Sequence, residues 1–218
     1  VVDALVAQPG LDRLRISSIE PTTIPTELFE RMVAGTALCR YLHIPLQSGS
    51  DDVLYRMNRR YSVSQYREFV ESAYQRVPDL CLGTDVIVGY PGESDAHFDE
   101  TVELLRHLPL TYFHVFSYSE RERAKSRLFD GQVERTTIAA RSRVLRELSN
   151  RKRQVFHERF SGREVSVLFE QEKRQRWTGL TDNYIRVSVA SEQDLTNRLL
   201  PVRLEGSEDG SYMTGVLL

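Results

Sequence analysis

The chain reads as an α/β protein, a partial parallel β/α barrel followed by a small antiparallel β-barrel. Three features of the sequence predict this. Strand-like and helix-like stretches alternate as far as Tyr118, the pattern of parallel strands joined by crossover helices. A long basic segment with helical period comes next. After Gly162 the apolar period falls from 3.6 to 2, and turn residues separate short runs. The expected division is 1–130 for the partial barrel, 131–161 for a linker helix and 162–218 for the small barrel. A closed eightfold β/α barrel takes roughly 250 residues, so the first part is only a portion of one.

Taken in order, the strands expected in the first part are Arg13–Ser18, Tyr41–Leu46, Gly83–Gly89 and Tyr112–Tyr118. Ser50, with Asp51 and Asp52, marks a short helix start, because a side-chain oxygen and negative charge suit a helix N-terminus. Ser62-Val63-Ser64-Gln65 reads as a capping box. It opens a helix with Tyr66, Phe69, Val70, Ala73, Tyr74 and Val77 on one face, stopped by Pro78. Ser94 caps another, with Phe98, Thr101, Leu105 and Leu108 along its buried side. Val133–Phe160 is helical, with Ile138, Leu145, Leu148 and Val155 on one stripe and Arg141, Arg151, Lys152 and Arg153 off it. His97, His107 and His157 read as helix-surface residues. Beyond Gly162, short strands are expected at Val165/Val167/Phe169, at Ile185/Val187/Val189 alternating with Tyr184/Arg186/Ser188, and at Val202/Leu204. Thr181-Asp182-Asn183 and Glu208-Asp209-Gly210 are the turns between them. Arg13–Ser18 is expected at an open edge whose unpaired backbone groups favour association edge to edge.

With 40% hydrophobic and 28% charged residues in 218, disorder and fibrous classes are excluded. No apolar run approaches the roughly 20 residues of a membrane helix, so no membrane partner is expected. Two cysteines, Cys39 and Cys81, cannot make a disulfide framework, and they fit a reducing compartment, the cytoplasm. Nor do two suffice for an iron–sulfur cluster or a structural zinc, which takes about four ligands, so no metal ligands are assigned within this chain. The formal net charge is −2, but it is unevenly spread: residues 1–118 hold 10 basic against 16 acidic side chains, 119–163 hold 13 against 6, and 164–218 hold 6 against 9. Such a basic connecting segment suits phosphate, and it equally suits a solvated helix with internal ion pairs.

Strand parity singles out one face. Side chains alternate across a strand, which groups Leu14, Ile16, Leu42, Ile44, Leu46, Val86, Val88, Phe113 and Val115 toward the helices. The opposite face carries Arg15, His43, Gln47, Asp85, His114 and Tyr118. A sheet buried on both sides would be apolar on both, so this face reads as a site. Strand ends are where ligands sit in parallel α/β folds, and there the chain places Gln47-Ser48-Gly49-Ser50 and Gly89-Tyr90-Pro91-Gly92-Glu93. Trp177 and Tyr184, with Lys173, Arg174, Arg176 and Arg186, form either a base-stacking and phosphate-binding patch or the small barrel's core plus a hairpin.

Three motifs occur in this order: His43-Ile-Pro-Leu-Gln-Ser-Gly-Ser50 with Arg56-Met-Asn-Arg-Arg60, Thr84-Asp-Val-Ile-Val-Gly-Tyr-Pro-Gly-Glu93, and His114-Val-Phe-Ser-Tyr-Ser119. Together they resemble the radical S-adenosylmethionine methylthiotransferases. The final block, with Trp177-Thr-Gly-Leu-Thr-Asp-Asn-Tyr-Ile-Arg-Val187, resembles their RNA-binding TRAM domain. Arg13-Leu-Arg-Ile-Ser-Ser-Ile-Glu-Pro21 and the Trp177–Val187 stretch resemble most the branch acting on threonylcarbamoyladenosine beside the tRNA anticodon. The isopentenyladenosine branch comes second and the branch modifying a ribosomal protein third.

The resemblance implies a radical-SAM barrel fold, a tRNA substrate, and two kinds of cofactor, S-adenosylmethionine and [4Fe-4S] clusters. It also implies a reductant and a sulfur donor as partners. Reductive cleavage of S-adenosylmethionine, hydrogen removal from the target carbon and sulfur insertion with methylation would be the chemistry. It places Gln47, Ser48, Gly49, Val88, Gly89 and Phe116 against S-adenosylmethionine. Arg15, His43, Asp85, Lys173, Arg174, Arg176, Trp177, Tyr184 and Arg186 fall toward substrate. The family's cysteine triplet is absent from this sequence and is expected, with the second cluster domain, ahead of Val1, so no catalytic residue is assigned and the chain alone is expected to be inactive. Ser119–Ser126 departs from the family's usual Gly- and Thr-containing loop. Two other readings remain, a non-catalytic RNA-binding protein and a different enzyme using the strand-end loops for a nucleotide or phosphate.

Overall fold

Three parallel strands, β1 (Tyr41–His43), β2 (Cys81–Val88) and β3 (Tyr112–Ser117), make the first sheet, in the order β1-β2-β3. The computed structural model describes residues 1–20, 23–120, 125–173, 175–208 and 210–218. Before the sheet come α1 (Val2–Val6) and α2 (Glu27–Val33); α3 (Asp51–Arg56) and α4 (Val63–Arg76) cross from β1 to β2, and α5 (Asp95–His107) from β2 to β3. A 24-residue helix, α6 (Arg135–Glu158), then leads to β4 (Glu164–Lys173), β5 (Arg176–Leu180), β6 (Arg186–Ala190), β7 (Leu199–Glu208) and β8 (Tyr212–Leu217). These five close into a barrel in the order β4-β5-β6-β8-β7. Among the described residues no helix is long and apolar enough to cross a membrane.

The capping boxes form as expected: Ser62 Oγ accepts from the Gln65 amide and Ser94 Oγ from the His97 amide, each with the reciprocal contact. Ser50 precedes α3 but its side chain makes no cap; Asp51 there accepts from the Val63 amide and ties α3 to the start of α4. The strand expected over Tyr41–Leu46 stops at His43, because Pro45 has no amide for the ladder. The Thr84 hydroxyl fills the gap, donating to the Ile44 carbonyl at 2.7 Å and accepting from the Leu46 amide at 2.9 Å. Pairing resumes as a single parallel bridge, Gln47 with Val86.

Arg13–Ser18 does not form the expected strand. Leu14 alone bridges to Leu38, and the Arg13 guanidinium donates to the carbonyls of Leu180 and Ser166 in the small barrel. The segment still follows the chain leading into β1, with the Leu14 amide donating to the Ala37 carbonyl at 2.7 Å and the Ile19 amide to the His43 carbonyl at 3.1 Å, but without a continuous ladder.

Helix α6 packs on the first sheet through most of its predicted stripe, with Leu145 buried and Ile138 and Leu148 against the same core, and adds polar contacts to β3. Ser149 Oγ accepts from the Phe113 amide and donates to the Phe113 carbonyl, both at 2.8 Å, which caps the free edge of β3. Ser142 Oγ meets Ser117 Oγ at 3.1 Å, and Lys152 Nζ donates to the Leu108 carbonyl at 2.8 Å. Leu145 is buried, but Val155 is exposed, and Phe156 and His157 are buried instead. The small barrel covers that flank of the last two turns, which helical period alone cannot reveal.

The small barrel is antiparallel except that β6 and β8 run parallel. Five strands in a closed ring cannot all alternate in direction, so one like-directed pair is required. Its core is Val167, Phe169, Trp177, Ile185, Val187, Val189, Val202, Leu204 and Met213. Cys39, Tyr41, Cys81 and Tyr112 join the same cluster, so the first sheet and the small barrel share a continuous apolar interface.

Candidate functional site

The face marked by strand parity is the open face of the sheet. In β2, Asp85 and Ile87 are half-buried while Val86 and Val88 are fully buried; in β3, His114 and Phe116 are exposed. Asp85 and His114 are register partners on adjacent strands, and His43 Nε2 lies 3.0 Å from Asp85 Oδ1. The His43 and His114 rings are 5.7 Å apart, and the Phe116 ring lies 6.4 Å from His114. His43, Asp85 and His114 bring one donor atom each within 4.8 Å of one another, two imidazoles and a carboxylate of the kind a divalent metal takes. Partial burial, with His43 and Arg153 nearby, pushes the His114 imidazole below its ordinary value against the opposing pull of Asp85. A neutral His114 offers one donor and one acceptor to whatever occupies this face.

Toward the small barrel the face becomes aromatic. Tyr41 and Tyr112 share a hydrogen bond between their hydroxyls at 2.8 Å. Tyr184 lies 4.4 Å from the Tyr41 ring and 6.2 Å from that of Tyr112. Arg15 lies 4.8 Å from the centre of Tyr184 and 5.6 Å from that of Tyr41. Tyr184 adopts φ 67°, a left-handed backbone rare for an aromatic residue, as it leaves the Thr181–Asn183 turn. The Thr181 hydroxyl, which accepts from the Ile185 amide at 2.8 Å and donates to Asn183 Oδ1 at 2.7 Å, holds that turn.

The strand-end loops are more structural than their glycines imply. A Cβ on Gly49 would come within 2.5 Å of the Thr101 backbone, and the Gly49 amide donates to Thr101 Oγ1, so this glycine admits α5 to the loop. At Gly89, with φ +78°, a Cβ would meet Ile138 of α6 at 2.3 Å, and the amide donates to Glu93 Oε2 at 2.7 Å. Glu93 in turn pairs with Arg141 at 2.6 Å, both side chains buried. Ser48 and Val88 are fully buried. Phe116 is left to present its ring to the open face, whereas Gln47, with φ 73° at the bridge to Val86, is buried.

In the small barrel the expected patch divides. Trp177 is buried in the barrel core, so its indole packs there rather than offering a free stacking face. Arg176 is tied to Ser188, Nε to Oγ at 2.8 Å. Lys173 and Arg186 are exposed; Arg174 lies outside the described residues, as do residues 121–124 of the Ser119–Ser126 stretch. Sequence reasoning missed Tyr41, Tyr112, Arg153 and His157. His157 is 4% exposed, not on the surface as expected, and burial beside Arg153 pushes its imidazole down to about 4. No periodic signal marks it, because a neighbouring domain does the burying.

The residues present test the implied cofactors differently. Both cysteines are buried, and burial pushes the Cys81 thiol up to about 12 and that of Cys39 up as well. A cluster takes thiolates from about four cysteines, so this chain's two do not fit one. For a nucleoside cofactor, Gln47 offers a carboxamide and Phe116 a ring at the strand ends.

The radical SAM superfamily model matches residues 2–105. The threonylcarbamoyladenosine tRNA methylthiotransferase MtaB of Aquifex aeolicus is 36% identical over 183 residues, covering 84% of this chain and 44% of that protein. The tRNA-2-methylthio-N(6)-dimethylallyladenosine synthase of Lawsonia intracellularis is 31% identical over 226 residues, covering 100% of this chain and 50% of that protein. Among solved structures, coproporphyrinogen III oxidase HemN of Escherichia coli, a radical SAM enzyme, has a TM-score of 0.50 at 12% identity, over 94% of this chain and 51% of its own. That likeness is one of fold. The chain spans about half the length of the curated relatives it matches.

Proposed function

We propose that the chain, similar over most of its length to radical SAM tRNA methylthiotransferases, forms the C-terminal portion of a tRNA-modifying enzyme that places a methylthio group on C2 of threonylcarbamoyladenosine beside the anticodon. One observation carries this reading: the sheet's open face is polar where a purely structural sheet would be apolar, with His43, Asp85 and His114 held together and Gln47 and Phe116 at the strand ends. The identity to a relative named for threonylcarbamoyladenosine supports the substrate.

In this reading Gln47 and Phe116 meet S-adenosylmethionine, while Ser48, Gly49, Val88 and Gly89 shape the packed floor under it. His43, Asp85 and Arg15 face the nucleoside. Lys173, Tyr184 and Arg186 face the tRNA. The cluster, reductant and sulfur donor belong to parts outside this chain, and the protein acts in the cytoplasm.

The test is mass spectrometry of tRNA nucleosides from cells lacking the full-length gene. Methylthiolated threonylcarbamoyladenosine is expected to vanish while its unthiolated parent rises. Loss of the methylthio-dimethylallyladenosine instead would move the substrate to that of the second group of relatives. Persistence of every methylthio nucleoside would overturn the tRNA reading.

A further inference from the structure

The open face puts forward more polar groups than its own contacts use. Asp85 gives one oxygen to His43 Nε2 at 3.0 Å. His114, the register partner of Asp85 on β3, is exposed. Its described neighbours are the rings of Tyr112 at 5.2 Å, His43 at 5.7 Å and Phe116 at 6.4 Å, with the charges of Asp85 and Arg153 nearby. Among the described residues no hydrogen bond reaches either ring nitrogen. The neutral imidazole therefore keeps one donor and one acceptor for whatever lies on the face.

A row of rings leads from His114 to a second unspent group. Tyr112 meets Tyr41 hydroxyl to hydroxyl, and Arg15 lies over the rings of Tyr41 and Tyr184. Arg15 is exposed, and among the described residues its guanidinium meets no carboxylate and makes no hydrogen bond. Arg13, two residues earlier, is spent on carbonyls of the small barrel. The row thus ends in an imidazole on one side and a guanidinium on the other, and neither ties down the fold.

The two nucleosides weighed for the substrate differ in one side group. A threonylcarbamoyl group carries N–H donors, a carbonyl, a hydroxyl and a carboxylate, whereas a dimethylallyl group is a hydrocarbon. The first finds a partner at both ends of the row. The second would take polar groups from water and leave them unpaired, which costs free energy. A site that hydrogen-bonds its substrate in this way rejects an analogue lacking those groups more strongly than an apolar pocket separates two hydrocarbons.

We propose that His114 is the specificity-determining residue of the open face, its imidazole hydrogen-bonded to the carbamoyl group of the target nucleoside while Arg15 takes the carboxylate. This rests on the tRNA reading above and deepens it, because it gives the choice of nucleoside to one side chain of β3. His43 and Asp85 are committed to each other, which leaves His114 as the member of the cluster free to follow the side group.

The test is the affinity of the full-length protein for one tRNA prepared in three forms, with plain adenosine, dimethylallyladenosine or threonylcarbamoyladenosine beside the anticodon, read by fluorescence anisotropy without reductant. The wild type is expected to bind the threonylcarbamoyl form most tightly. His114→Phe should weaken that form roughly tenfold and leave the other two nearly unchanged, since one substrate hydrogen bond is lost. His114→Gln, which keeps a donor and an acceptor, should recover much of the loss, and Arg15→Gln should weaken the same form selectively. Equal weakening of all three forms in His114→Phe, no weakening of any, or wild-type preference for the dimethylallyl form would each overturn the proposal. A selective loss in His114→Phe with every methylthio nucleoside intact in the deleted cells would keep the role of His114 and sink the methylthiolation. Disappearance of methylthiolated threonylcarbamoyladenosine from those cells with His114→Phe binding as the wild type would do the reverse.

Discussion

The small barrel meets the first sheet along a seam whose two sides use arginine in opposite ways. On one side Asp79 receives Arg163 at 2.7 Å, Arg159 at 3.3 Å and Arg40 at 3.8 Å, and Asp182 receives Arg40 at 2.7 Å. Asn183 closes the set by donating to the Asp79 carbonyl. On the other side Arg153 and Arg186 lie on tyrosine rings around a cavity that also holds the unsatisfied His157. Composition places Arg153, Arg159 and Arg163 alike in one basic stretch and Arg40 and Arg186 in acidic surroundings, which sorts them by neither use. An acidic partner separates those that dock a domain from those that meet none among the described residues, and only the fold reveals which have one.

The firmest way to test the paired class lies where it is most buried. Arg141 and Glu93 have side chains 6% and 1% exposed and meet at 2.6 Å. Arg141→Met leaves the Glu93 charge buried without its partner, which costs about 3–5 kcal/mol. Urea unfolding should show the midpoint falling with little change in slope. A loss below about 1 kcal/mol would mean that Glu93 is satisfied by the Gly89 amide alone.

The next largest effect separates the two sides by pH. The folded His157 imidazole titrates near 4, whereas an unfolded histidine binds its proton near 6.5. The unfolded state therefore takes up the proton first. Stability is full above about pH 6.5 and declines by roughly 2–3 kcal/mol as pH falls toward 4. His114 shifts in the same direction and adds to the slope. Comparing the wild type with His157→Phe isolates the buried residue, and identical slopes in the two proteins would rule this contribution out.

Asp79 behaves with the opposite sign and in a lower window. Its hydrogen bond from Arg163, with Arg40 and Arg159 nearby, holds its carboxyl below the ordinary value. Its contribution is present above about pH 4 and is lost as pH falls through the lowered folded value. Asp79→Asn tolerates the φ of 59° at this position and removes the charge. A loss of about 1–2 kcal/mol is expected at pH 7, shrinking below pH 4. The open side of the seam thus weakens first on acidification and the paired side later. Equal losses from Asp79→Asn at pH 7 and pH 3 would contradict that order.

Local rules made much of the fold legible. Both capping boxes, the parallel strands over 81–88 and 112–117, and the polar parity of Asp85 and His114 follow from spacing alone. Long-range contacts decided the rest. Leu14 makes a single bridge in a segment whose Arg13 reaches into the small barrel, and Val155 and His157 exchange places because that barrel covers one flank of α6. Gly49 and Gly89 look like ligand loops in sequence, yet each makes room for a helix far along the chain. The inner face of the site was therefore readable, while the cavity at the seam, assembled from three separate elements, was not.

The smallest effect in this series sharpens the contrast most. Arg186 is exposed, and its only described contacts are with Tyr212. Arg186→Gln should therefore change stability by less than about 0.5 kcal/mol, well below the loss expected at Asp79. A docking arginine and a ligand arginine differ in what their removal costs the empty protein. If Arg186→Gln proved as destabilising as Asp79→Asn, Arg186 would be a structural residue, and the two sides of the seam would be alike after all.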